Sequence, residues 1–288
     1  MSGTVISFEV TDDLSGEGTL RIDADAYGDP ANPPVLLLHG GGQTRHSWGN
    51  TAAVIAEAGW YAIANDQRGH GTSGRSPTGH YEPGRFAEDL VEIAATFDRA
   101  PVVVGASLGG LAALLAVGVL EPGLFAGMVL VDITPRQEQE GVNRIVSFML
   151  DRAEEGFASL DEAAEAVAGY QPHRRRQPDH SGLRKNLRLD PDGRWRWHWD
   201  PQLFNTDNGL HSPQEPGRFV SAAATLTLPT MLVRGKLSDL VSEETAREFL
   251  DLVPHAQFVD VSDAGHMVAG DRNDRFCDAV VGFLSGLA

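Results

Sequence analysis

Residues 4–10 and 19–26 alternate apolar and polar positions, with Leu20, Ile22, Ala24 and Ala26 on one face. Asp12, Asp13, Ser15 and Gly16 lie between the two stretches, so the pattern predicts an antiparallel hairpin. The pattern then changes. After Pro33-Pro34, Val35–Leu38 is continuously apolar, as expected of a parallel strand covered on both faces. Ser47–Ala58 reads as a helix stopped by Gly59, and Trp60–Ala64 as a strand. Gly84–Phe97 is amphipathic, with Phe86, Leu90, Ile93, Ala94 and Phe97 at helical spacing. Two more buried-strand patterns, Val102–Val104 and Gly127–Val131, flank an Ala- and Leu-rich segment that runs to Leu120. Strands alternating with helices predict a mostly parallel α/β sheet with right-handed crossovers and helices on both faces.

At Thr134-Pro135 this rhythm breaks. Residues 135–221 hold no run suited to a parallel strand. Val142, Ile145, Val146 and Met149 lie at helical spacing, and Ser159-Leu160-Asp161-Glu162 reads as a capping box before a second helix. Gly182–Leu189 reads as a third, basic helix. The turn Pro191-Asp192-Gly193 then leads into a stretch where Trp195, Trp197 and Trp199 alternate with polar residues. If extended, that stretch puts all three indoles on one side. So much apolar area must pack on something, at roughly 25 cal/mol per Å². Either it joins the segment's own helices, or at least one indole roofs a pocket. The rhythm resumes at Leu228-Pro229 with a strand over Thr230–Arg234, a helix over about Glu243–Leu252 and a last strand over Gln257–Val261. A final amphipathic helix carries Phe276, Val280 and Phe283. The expected organisation is a core of residues 1–134 and 222–288 with residues 135–221 inserted as a helical cap, or lid.

Composition narrows the picture. The chain has 288 residues, 42% of them hydrophobic, enough for one large α/β core. It has no run of 18 apolar residues, so no transmembrane helix is expected. The start, MSGTVISFEVTDD, lacks the basic flank and apolar centre of a secretory signal, and a cytoplasmic location is expected. The single cysteine, Cys277, precludes an internal disulfide and reads as a buried helix residue. A net charge of −17 argues against nucleic acid and anionic membranes as partners. The basic run Arg174-Arg175-Arg176 reads as a solvated loop.

Candidate chemistry sits at the predicted strand ends. Pro101–Leu120 reads strand, turn, helix, with Gly105-Ala106-Ser107-Leu108-Gly109 at the turn. Gly-x-Ser-x-Gly in that setting is a nucleophile elbow. It holds Ser107 exposed and aims the first helical N–H groups, which lack intrahelical partners, at a developing oxyanion. His39-Gly40-Gly41-Gly42 ends the earlier strand and lets backbone N–H groups approach the same point. A serine hydroxyl needs a base, and the base an acid to fix its tautomer. His266 follows the last strand, and Asp239 follows the strand before it. Asp132, also at a strand end, is the rival acid, and Asp263 reads as a turn residue. The polar loop Asp66–Ser73 reads as a bracing network.

HGGG at 39–42, DQRGHGTS at 66–73, GASLGG at 105–110, RGKLSD at 234–239 and AGH at 264–266 together resemble the α/β-hydrolase superfamily over nearly the whole chain. The resemblance implies Ser107 as nucleophile, His266 as base and Asp239 as orienting acid. It implies oxyanion N–H groups from Gly41 and Leu108, with Gly42 as the alternative for the first. Loop 66–73 and the glycine turn are similar to those of epoxide hydrolases and cofactor-free haloperoxidase-like esterases. Epoxide hydrolases of that kind carry Asp at the elbow, where this chain has Ser107. The expected activity is hydrolysis of a small-molecule carboxylic ester or lactone through an acyl-enzyme, with no metal or organic cofactor. The alternatives are perhydrolysis, carbon–carbon bond hydrolysis, and ligand sensing without turnover. His46, Trp48 and Trp197 are the candidate pocket residues. No feature of the sequence sets an oligomeric state.

Overall fold

The continuously apolar strands send alternate side chains to opposite faces of one sheet. The computed structural model describes residues 3–12, 18–170, 180–204, 207–210, 217–271 and 273–287. Asp13, Ser15, Gly16 and Arg174-Arg175-Arg176 lie outside the described residues. In chain order the strands are β1 (Thr4–Thr11), β2 (Thr19–Tyr27), β3 (Pro34–Leu38), β4 (Tyr61–Asn65), β5 (Val102–Ala106), β6 (Gly127–Val131), β7 (Leu187–Leu189), β8 (Trp195–Trp197), β9 (Thr230–Gly235) and β10 (Gln257–Val261). Eight form one sheet in the order β1-β2-β4-β3-β5-β6-β9-β10, and β7 and β8 pair separately. β1 and β2 make the expected antiparallel hairpin, with Thr4 opposite Ala26, and β2 is antiparallel to β4. Every other pairing within the large sheet is parallel.

The helices are α1 (Gly49–Glu57), α2 (Pro83–Ala94), α3 (Leu108–Leu115), α4 (Gln139–Leu150), α5 (Leu160–Tyr170), α6 (Arg218–Ala224), α7 (Glu243–Leu252), α8 (Val268–Asp271) and α9 (Asn273–Ser285). Strand periodicity divides the core into two layers. Leu36, Leu38, Val103, Met128 and Leu130 pack with Leu90 of α2, Ala113 of α3, Ala222 of α6 and Phe249 of α7. Val35, Leu37, Val102, Val104 and Val129 pack on the opposite side with Ile55 of α1 and Phe276 and Val280 of α9. β3, β5, β6 and β9 are buried along nearly their whole length, which explains their unbroken apolar runs. Among the described residues no helix is long and apolar enough to cross a membrane.

Between β6 and β9 the chain leaves the sheet and builds a third apolar cluster. Met149, Phe157, Trp197, Trp199 and Leu203 pack there against Tyr81, Phe86 and Leu108. Ser159 caps α5 as expected, accepting the Glu162 N–H at 3.1 Å, but the Glu162 carboxylate accepts from the N–H of Ala158. The expected third helix is corrected: Ser181–Lys185 is a short 3₁₀ turn, and Leu187–Leu189 is the strand β7. Leu187 lies opposite Trp197 and Leu189 opposite Trp195. Pairing with the tryptophan strand outweighs a weak helical pattern. The hairpin turns at Pro191-Asp192-Gly193, as its residues predict, with Gly193 at φ 80°.

The close approach of α3 to the sheet is what fixes the elbow glycines. A Cβ on Gly105 would sit 2.4 Å from the Gly109 carbonyl oxygen, and one on Gly109 would sit 2.5 Å from both Cβ and O of Leu38. Gly109→Ala is therefore expected to lower stability by about 1–3 kcal/mol, as overpacking of a fitted core does. Gly123→Ala, where an added Cβ meets nothing within 4 Å, should shift it by less than about 0.5 kcal/mol. Urea denaturation of both variants checks this; equal midpoints would contradict it.

Candidate active site

Ser107 stands between β5 and α3 at φ 48° and ψ −116°, in the left-handed region that side chains rarely adopt. Its own carbonyl accepts from the N–H groups of Gly110 and Leu111, which starts the helix and holds the turn. Asp132, at the end of the neighbouring strand β6, is also at positive φ, 49°. Such strain persists only where the surroundings over-determine it, and it gathers at functional sites.

His266 is paired with Asp132. The imidazole Nδ1 donates to Asp132 Oδ2 at 2.7 Å. The carboxylate is 0% exposed and also accepts from the Gly235 N–H at 2.9 Å and the Ser238 hydroxyl at 2.5 Å. This corrects the expectation for Asp239. The Asp239 side chain is 36% exposed and faces Arg144 of α4, with Oδ2 3.0 Å from Nη1. The physical reason is sheet position: β6 lies between β5 and β9, so a carboxylate at its end is next to Ser107, whereas Asp239 has passed four residues beyond Gly235. From that loop it is the Ser238 hydroxyl that reaches Asp132.

The glycine turn after β3 is tied at several points. Gly40 N–H donates to Gln43 Oε1 at 3.0 Å, and Gln43 N–H returns to the Gly40 carbonyl at 3.1 Å. Gly42 N–H donates to His70 Nε2 at 3.1 Å, which removes Gly42 as a free donor. Among the described residues the N–H groups of Gly41 and Leu108 have no hydrogen-bond partner. The glycine turn lies against the elbow: a Cβ on Gly41 would lie 3.9 Å from Leu108 Cδ2, and one on Gly40 would lie 3.2 Å from Ser107 Cβ. Loop 66–73 braces this arrangement, as its charges suggested. Asp66 accepts from Arg45 N–H at 2.7 Å and Thr72 N–H at 3.0 Å and pairs with the Arg45 guanidinium, while Arg68 holds Asp89 through two bonds of 2.5 and 2.7 Å.

A cavity of about 490 Å³ opens over these groups. Ser107, His266, Gly41 and Leu108 line it, as do Trp48, Trp197 and Trp199. Trp197 packs edge-on against Phe148 and Phe157, and Trp199 against Phe204. Trp195 is outside the cavity lining, with the Arg184 guanidinium over its ring at 4.9 Å. His46 does not reach the cavity: it is 37% exposed with Nδ1 3.6 Å from Asp25 Oδ2. A histidine two residues before Trp48 points elsewhere because Arg45–Trp48 is a 3₁₀ turn, not an extended wall. No Arg, Lys, Asp or Glu side chain lines the cavity among the described residues, and no group of three or more His, Cys, Asp or Glu is placed to hold a metal ion.

A sequence profile described as the alpha/beta hydrolase fold matches residues 33–272. The chain belongs to the α/β-hydrolase fold family. Esterase Rv0045c of Mycobacterium tuberculosis is 31% identical over 270 residues, covering 91% of this chain and 86% of its own. The 2-hydroxy-6-oxo-6-(2'-aminophenyl)hexa-2,4-dienoic acid hydrolase of Metapseudomonas resinovorans is 28% identical over 261 residues, covering 88% and 84%. The crystal structure of an E-2-(acetamidomethylene)succinate hydrolase superposes with a TM-score of 0.82 at 24% identity, covering 98% of this chain and 100% of that one, which speaks to the fold.

This α/β hydrolase carries three buried histidines beside the glycine turn: His39 and His70, which lie in the quoted motifs, and His198, which sequence reasoning did not single out. His39 and His70 meet edge-on at 4.9 Å, and His70 and His198 lie 6.0 Å apart. Every ring nitrogen has a partner. Nδ1 of His39 and His70 donate to the carbonyls of Gly40 and Arg68, and His39 Nε2 accepts the Gln67 N–H. His198 Nδ1 accepts the Gly71 N–H at 2.7 Å, and its Nε2 donates to the Gly42 carbonyl at 3.3 Å. Burial, the largest cause, lowers all three to a pKa of about 3. Between an unfolded value of about 6.5 and that level the unfolded chain binds more protons than the folded one, so stability falls as pH drops through this window. An NMR titration should show three histidine ring signals that stay neutral down to about pH 4 in the folded protein. Titration of all ten histidines near the usual imidazole value would refute the assignment.

Proposed function

We propose that the chain is a serine hydrolase of uncharged carboxylic esters, open-chain or lactone. Ser107 attacks the carbonyl carbon while His266 Nε2 takes its proton, and Asp132 holds the imidazole tautomer and stabilises the imidazolium. The carbonyl oxygen, now an oxyanion, receives the N–H groups of Gly41 and Leu108. Collapse breaks the ester C–O bond, and His266 returns the proton to the departing alcohol. Water, deprotonated by the same nitrogen, then releases the acid and restores Ser107. The observation that carries this reading is the 2.7 Å contact between His266 Nδ1 and a fully buried Asp132, at a cavity that also holds Ser107. An imidazole held at Nδ1 presents Nε2 as its basic atom.

Residues 135–221 act in this reading as the cap, closing the cavity with Trp197 and Trp199. The resemblance to hydrolases of carboxylic acids raises carbon–carbon bond cleavage as the rival. A substrate carboxylate needs a cation, and the described lining offers none. That favours a neutral ester.

The test is a panel of p-nitrophenyl esters of rising chain length, run beside lactones and a carboxylate-bearing diketone. Neutral esters should be turned over and the diketone not. Ser107→Ala should lose at least about a thousandfold in kcat and all labelling by a fluorophosphonate, while staying folded. Turnover of the diketone alone, or full activity without Ser107, would defeat the reading. Trp199→Ala should shift the chain-length preference, and Trp195→Ala should leave it unchanged.

The two acids separate cleanly. Asp132→Asn should cost about a thousandfold or more in kcat, because the imidazole loses its orienting charge. Asp239→Asn removes only a partly exposed ion pair and should change kcat by less than about threefold. The opposite ranking in steady-state kinetics would return the role to Asp239.

A further inference from the structure

Gly40-Gly41-Gly42 has more backbone freedom than any other three-residue stretch of L-amino acids would allow, so its shape must be imposed from outside. The peptide carrying the Gly41 N–H is held through its own carbonyl, that of Gly40, which accepts from His39 Nδ1 at 2.8 Å and from the Gln43 N–H at 3.1 Å, and the peptides on either side of it are tied as well. Gln43 fixes the Gly40 N–H, and His70 fixes the Gly42 N–H. A further tie comes from the inserted segment: His198, just past β8, donates Nε2–H to the Gly42 carbonyl at 3.3 Å.

His198 is itself firmly seated. It is 7% exposed, and its Nδ1 accepts the Gly71 N–H at 2.7 Å. Its backbone N–H donates to the Asn186 carbonyl at 3.1 Å, and its carbonyl accepts from Arg75 at 3.0 Å. Two residues on, the Asp200 N–H donates to the Gly69 carbonyl at 2.8 Å, and the Asp200 carboxylate accepts the Tyr81 hydroxyl at 2.7 Å. This stretch of the inserted segment is thus bound to the 66–81 region by buried and part-buried hydrogen bonds. Its one side-chain contact with the glycine turn is the His198 Nε2–Gly42 bond among the polar contacts of the described residues.

We propose that His198 is a positioning residue of the hydrolase reaction: by holding the Gly42 carbonyl from the inserted segment, it completes the set of ties, with His39, Gln43 and His70, that directs the Gly41 N–H toward the oxyanion. The inference rests on the serine-hydrolase reading above. His198 touches none of the reacting atoms and is not itself a lining residue of the cavity, which it reaches through Gly42. Its effect falls on the transition state, where the carbonyl oxygen becomes an oxyanion, and leaves ground-state binding by the apolar walls alone.

Amide isosteres divide the two ring bonds. In His198→Asn the amide oxygen replaces Nδ1 and keeps the Gly71 bond, but nothing reaches Gly42. In His198→Gln the amide nitrogen replaces Nε2 and restores the donor to Gly42. Both variants and the parent are measured for kcat and KM on the best p-nitrophenyl ester and for inhibition by a trifluoromethyl ketone, which adds Ser107 to give a tetrahedral oxyanion. His198→Asn should lower kcat and weaken the ketone by a similar factor, about tenfold to a hundredfold, as a displaced oxyanion donor does. Its KM should stay within about twofold. His198→Gln should recover most of both losses. Thermal melts record folding, and if His198→Asn does not fold, the Gln variant alone decides: parent-like kcat and inhibition uphold the clamp, and a loss in either overturns it. A folded His198→Asn enzyme with parent-like kcat and inhibition, or one altered only in KM, overturns it too. A parent enzyme with no ester turnover would instead defeat the serine-hydrolase reading, so the two failures are distinct.

Discussion

A carboxylate with no exposure to water must be given its hydrogen bonds by the protein, and Asp132 is such a group. Its partners arrive from separate stretches of chain: the Gly235 N–H from the end of β9, the Ser238 hydroxyl from the loop after it, and the imidazole of His266 from the loop after β10. Leaving any of them out would strand a buried charge, at a cost of several kcal/mol. The demand of one buried group therefore fixes the ends of β6, β9 and β10 relative to one another. Ser107 enters the same constellation from β5 because β5 and β6 are neighbours in the sheet.

The glycine turn solves the complementary problem. Free N–H groups have to be kept free, yet pointed. Each side of Gly41 is committed to His39, Gln43, His70 or His198, and among the described residues the N–H groups of Gly41 and Leu108 stay unpaired. The neutral form of the histidines matters here. His70 Nε2 and His198 Nδ1 both act as acceptors, which a protonated ring cannot do.

How much of this the sequence revealed follows from how local each signal is. The elbow was legible because Gly105, Ser107 and Gly109 carry their constraint within five residues, and the parallel strands because burial on both faces leaves an unbroken apolar run. The placing of His266 at one cavity with Ser107 was legible from its position after the last strand. The carboxylate that pairs with His266 was not, since Asp132 and Asp239 both follow buried strands and only the lateral order of β5, β6 and β9 tells them apart. One clue lay in the sequence: Asp132 directly abuts a fully apolar strand, where a charge has nowhere to go but inward. His198 and His46 show the same limit in the inserted segment and beside the glycine turn. His198 works through bonds to Gly42 and Gly71, far away in the chain, and His46 is turned from the cavity by one 3₁₀ turn.

Beside the apolar cluster it shares with Tyr81, Phe86 and Leu108, the inserted segment has two unlike kinds of polar contact with the core. At His198 and Asp200 the bonds are buried or part-buried. At α4 the Arg144 guanidinium meets Asp239 where both side chains are substantially exposed, 51% and 36%. Counter-ions reach such a pair and screen it over a distance of about 8 Å at physiological ionic strength, while they leave buried hydrogen bonds untouched. Dissolved salt thus acts on one edge of the segment and not the other. A change of medium that is uniform in solution is delivered to this protein as an uneven loosening of one side.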